Sequence, residues 1–154
     1  MVIRNEVSMK RFDLSVLWLK IVSILFAVFG TVIALFNQTK IFQITINNQI
    51  NPVFWTHSEL SSEALLFQRW IYGLLGATCL LVGILIFFIV KNAFAKKEKW
   101  AWYCLLIGVA AWFMVDTPVS FYFQVHFNVV FNVVLLSATL IPLALTRKDF
   151  FNNP

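Results

Sequence analysis

Residues Trp100 to Asn132 read WAWYCLLIGVAAWFMVDTPVSFYFQVHFNVVFN. An apolar run opens just after a cluster of lysines, meets Asp116 followed by Thr117-Pro118, and resumes as a second apolar run carrying Asn128 and Asn132. This is the pattern of two membrane helices joined by a short turn, with their polar groups gathered near that turn. Outward from it, Leu14 to Phe36 and Trp70 to Val90 are two further apolar blocks. Each of the four blocks approaches or reaches the ~20 residues that a hydrocarbon core of about 30 Å requires. The expected fold is all-α: a single domain over 1–154 forming a four-transmembrane-helix bundle of two antiparallel hairpins, with helices at about 14–36, 70–90, 100–116 and 127–145.

Composition agrees. Hydrophobic residues make up 60% of the chain and charged residues 12%, against about 45–50% and about 25% in soluble domains. So few charges cannot cover so much apolar surface in water. The formal charge of +5 is concentrated at the ends of the apolar blocks, which leaves no basic face interleaved with aromatics, and nucleic acid is not an expected partner. Nine of the twelve Lys and Arg residues lie before Asp13, between Lys91 and Lys99, or at Arg147-Lys148. By the positive-inside rule these segments are cytoplasmic, which makes the chain a multi-pass inner-membrane protein with both termini inside. The first apolar block is longer than a signal-peptide core and lacks a small-residue cleavage site after it, so it is expected to be retained as a helix.

The loop over 37–66 then lies outside. Phe42-Gln43-Ile44-Thr45-Ile46 alternates apolar and polar residues before Asn47-Asn48, which predicts a short strand or β-hairpin capping the outer surface. Asn51-Pro52 ends it, and Ser58 and Ser62, with Glu59 and Glu63, suit a helix start. Asn37-Gln38-Thr39 matches a glycosylation acceptor by chance. Cys79 and Cys104 fall at different depths of apolar blocks, so no disulfide is expected between them.

Small residues mark the helix-packing faces. Ser23, Ala27, Gly30 and Ala34 recur at threes and fours on the first helix, and Gly73, Gly76 and Gly83 share an arc of the second, with Gly108 on the third. Such positions let backbones approach closely. Arg69 extrapolates to the same arc and is expected to face protein; Lys20, at the edge of the first stripe, is expected to snorkel inward.

Topology places Arg69, Asp116, His126, Asn128 and Asn132 at one level near the outer end, a candidate polar cluster. Two readings of it stay open: an Arg69–Asp116 ion pair that locks the hairpins together, or the lining of a pocket. Asp116 and His126 have acid and base chemistry in principle, but the sequence has no catalytic motif. His57 and His126 lie in separate loops, and neither a metal nor a cofactor is expected. No mid-span charge other than Lys20 marks an ion path.

The long outer loop, the small-residue second helix, the lysine-rich inner loop, and Trp100-Ala101-Trp102 leading to Trp112, Asp116-Thr117 and Asn128…Asn132 resemble the layout of small bacterial four-helix membrane proteins of the DoxX-like group. That resemblance covers most of the chain and implies no established chemistry. The function expected is non-catalytic: binding of a hydrophobic small molecule, or service as an accessory membrane subunit. A lipid-modifying enzyme using Asp116 and His126 is the alternative, and a small transporter a third. Partners expected are membrane lipids, a hydrophobic ligand, and a homo-oligomer or larger membrane complex.

Overall fold

A computed structural model describes the backbone of residues 2–55 and 60–151, with side chains from residue 9 onward. Among these residues there is no strand. The chain runs through α1 (Val2–Phe36), a short helical cap, α4 (Ser62–Asn92), a 3-10 turn (Phe94–Lys96), α5 (Lys99–Tyr122) and α6 (His126–Phe151). The four long helices are each long and apolar enough to cross a membrane. Their outward surface carries large apolar side chains such as Leu14, Leu25, Leu35, Leu66, Met114 and Val134.

The cap corrects the expected hairpin. Residues 40–54 are helical throughout: α2 (Lys40–Phe42), a π-helical stretch (Gln43–Asn47) and α3 (Asn48–Phe54). Alternation at Phe42, Ile44 and Ile46 contains a helical spacing as well, because Phe42, Ile46 and Ile50 recur every four residues and turn inward together. An isolated two-stranded hairpin is marginal in any case. Thr39 caps the segment by accepting from the Phe42 N–H at 3.3 Å. The cap is tied to α4 by Tyr72 Oη donating to Asn47 Oδ1 at 2.9 Å and by Gln68 Nε2 donating to Asn51 Oδ1 at 2.7 Å. Ser61, not Ser62, caps α4, accepting from the Ala64 N–H at 3.2 Å; Ser58 and Glu59 lie outside the described residues. The Asn37 side chain is buried and donates to Ile33 and Ala34 carbonyls at the end of α1, an arrangement unsuited to a glycan.

Helix α1 packs chiefly on α4 and also on α6, and α6 packs on α5, while α4 and α5 barely touch. The small residues explain the first of these contacts. A Cβ built on Gly30 would stand 2.5 Å from Gly76 O and Leu80 N, and one on Gly83 would stand 2.7 Å from Ala27 N. The two backbones are in direct contact along Ser23, Ala27, Gly30 and Ala34. Gly73 and Gly108 differ from expectation: a Cβ on either meets nothing within 4 Å, because Gly73 turns off the α1 face and α5 has no close neighbour at Gly108.

Two prolines sit inside the long helices. The third helix does not stop at Asp116 but continues through Pro118 to Tyr122, the proline removing one backbone donor while the flanking turns remain helical. In α6, Pro142 removes the N–H that would bond the Ala138 carbonyl. Trp18 of α1 supplies a replacement, its indole N–H donating to Ala138 O at 2.9 Å. One turn on, Trp102 Nε1 donates to Leu143 O at 3.0 Å, which fastens α5 to the same helix.

The bundle is unevenly filled. At one end Phe12, Phe94 and Phe150 stack together with Leu19, Val90, Trp102 and Leu143 in a closed core. Arg11 pairs with Asp149 at 3.4 Å, and Lys97 Nζ lies 4.8 Å from the Phe12 ring centre. Both chain-terminal segments and the lysine turn therefore meet at this end. The other end is where the packing fails.

Candidate functional site

A partly open cavity of about 310 Å³ lies under the cap, between the cap-side halves of α1, α4, α5 and α6. Its wall is mostly aromatic and aliphatic: Phe26, Phe29 and Ile33 from α1, Phe42, Ile46 and Ile50 from the cap, Leu75 from α4, and Trp112, Phe127 and Phe131 from α5 and α6. That volume is at the small end of ordinary ligand sites. The cap covers the cavity from above, while α4 and α5 flank it without closing on each other.

Four polar side chains face this apolar wall: Asp116, Ser120, Asn128 and Asn132. Asp116 is six residues from the end of α5 and Asn132 six from the start of α6. At 1.5 Å per residue both lie about 9 Å in from the helix ends. Asn128 Nδ2 donates to the two Asp116 oxygens at 3.2 and 3.3 Å and to Ser120 Oγ at 2.8 Å. Ser120 Oγ donates to Asp116 Oδ1 at 3.3 Å. The carboxylate is thus held by neutral donors alone among the described residues.

Asn132 is fully buried. Its Nδ2 donates to Thr117 Oγ1 at 3.1 Å, while Oδ1 has no partner. Turning the amide over would exchange which atom is left unpaired. In either orientation one polar end of a buried amide is unsatisfied, at a cost of roughly 1–3 kcal/mol.

The structure brings together three of the five residues singled out from sequence, Asp116, Asn128 and Asn132, and leaves two apart. Arg69 is exposed and forms no ion pair with Asp116. The reason is topological: Arg69 rides on α4 and Asp116 on α5, which are not packing neighbours, and the inward face of α4 is taken by Gln68, Tyr72 and Gly76. His126 is exposed at the start of α6, its ring 6.3 Å from that of Phe121, in a separate shallow hollow with Pro118 and Tyr122. His57 lies outside the described residues. Both cysteines are free, and no group of three His, Cys, Asp or Glu side chains comes together among the described residues.

Ser120 was not visible as a site residue in the sequence. Ser120 sits four residues after Asp116, so the signal is present once the helix is carried through Pro118. Compared with protein-family profiles, curated proteins and solved structures, the chain finds no match in any of the three.

Proposed function

We propose that the chain is a multi-pass membrane protein that holds a lipid-like molecule in the cavity at its outer end, gripping the molecule's polar group with Asp116, Asn128 and Asn132. The observation that carries this reading is the pairing of an apolar cavity with an unsatisfied, fully buried amide at its wall. A bundle optimised only for stability would fill that space with side chains, as it does around Phe94 at the other end. The loose α4–α5 seam favours access from the bilayer over access from water, since the cap roofs the cavity. The DoxX-like layout is compatible with this proposal and carries no part of it.

The lysine-bearing end is cytoplasmic in this proposal, which puts the cavity in the outer leaflet. Cysteine labelling tests the orientation. With Cys79 and Cys104 replaced by serine, Lys97→Cys should react only after the cells are opened; labelling of intact cells would overturn it.

The other readings draw less support. An enzyme using Asp116 and His126 needs both at one cavity, and His126 lies in a different hollow. An accessory subunit would need a free small-residue face for its partner, and the main ones are consumed within the chain by the α1–α4 contact.

Native mass spectrometry tests the ligand. The wild type, extracted with its own lipids, should release one molecule that the cavity-filling variant Leu75→Trp does not retain. Identical lipid content in the two would sink the proposal.

A further inference from the structure

We propose that the ligand's polar group is an organic cation, a protonated amine carried on an apolar body. This rests on the ligand-binding reading above and specifies its chemistry.

The argument begins with charge. Among the described residues that line the cavity, Asp116 is the only Asp, Glu, Lys, Arg or His. Among the described residues its partners are Ser120 and Asn128, both neutral, and the ion pair the bundle does form, Arg11–Asp149, is at the opposite end. A carboxylate set among apolar side chains in a membrane is costly unless an opposite charge meets it. Ser120 and Asn128 turn donors toward the carboxylate but bring no opposite charge to it.

The wall narrows the choice further. Phe26, Phe29, Phe127, Phe131 and Trp112 line the same cavity as the carboxylate, and aromatic rings attract cations through their quadrupoles. A fatty-acid or phosphate head would meet the negative charge head-on. A neutral alcohol would satisfy a hydrogen bond and leave the charge uncompensated. An ammonium group carries several N–H donors, enough for both oxygens of Asp116.

Three probes with the same alkyl chain separate the cases: n-dodecylamine, n-dodecanol and dodecanoate. Each is titrated against the protein in phosphatidylcholine nanodiscs, with protein-free nanodiscs correcting for partition into the bilayer. The amine should bind roughly ten-fold or more tightly than the alcohol, and dodecanoate most weakly. Asp116→Asn should reduce the amine to the level of the alcohol, and Asp116→Glu, which keeps the charge, should preserve the preference. Equal binding of amine and alcohol by the wild type would overturn the cation and leave the ligand cavity standing. Binding of none of the three would overturn both.

Discussion

Alanine at each of the five glycines separates backbone contact from mere small size. In Gly30→Ala the new methyl must sit 2.5 Å from two backbone atoms of α4, and an ordinary contact begins near 3.4 Å, so the helices must part by most of an ångström. Neither atom belongs to a flexible side chain, so nothing local can yield. Overpacking of this kind costs about 1–3 kcal/mol, and parting α1 from α4 also loosens the contacts at Ala27 and Ala34. Against that stands a gain in helix propensity of about 0.8–1.0 kcal/mol. The net expected loss is about 0–2 kcal/mol at Gly30 and Gly76, toward the upper end because of those loosened contacts, and somewhat less at Gly83. At Gly73 and Gly108 the added methyl meets nothing within 4 Å, so the propensity gain stands alone and the change is neutral or stabilising. Reversible unfolding in bicelles, followed by steric trapping, measures each variant against wild type. The reasoning fails if Gly30→Ala and Gly73→Ala shift stability in the same direction by similar amounts.

Three further substitutions probe the rest of the bundle. Trp18→Phe should cost about 1–3 kcal/mol by leaving the Ala138 carbonyl without a donor in an apolar setting; Pro142→Ala restores a backbone N–H, so the double variant should recover most of the loss, and simple additivity would refute the pairing. Arg69→Gln should change stability by no more than about 0.5 kcal/mol, and a double-mutant cycle with Asp116→Asn should show no coupling; a coupling above about 1 kcal/mol would restore the ion pair that the geometry lacks. Asn132→Leu should leave the ligand-free protein as stable or more stable, since an unsatisfied amide is replaced by a side chain of similar size, while the co-purifying molecule is lost. Retention of that molecule would remove Asn132 from the site.

Period and charge made much of this architecture legible before any coordinates, and the errors share one cause. Four apolar blocks and the grouping of lysines give the helix count, and the small-residue spacing in α1 gives the face that meets α4. What misled was local grammar read without its surroundings. Phe42-Gln43-Ile44-Thr45-Ile46 alternates like a strand, yet the same residues contain a four-residue period that only matters because a cavity lies beneath them to be roofed. Pro118 reads as a stop signal because it removes a backbone donor and disfavours a helical Thr117, yet α5 carries through it to Tyr122. Carrying α5 six residues further is what turns Asp116 from a terminal residue into a mid-turn one, and what brings Ser120 beneath Asn128. The Arg69–Asp116 pair was misjudged for a different reason. Depth along the membrane normal can be counted from the sequence, whereas the order of helices around the bundle cannot. It is that order, α4 beside α1 and α5 beside α6, that leaves Asp116 facing neutral amides and an open space in place of an arginine.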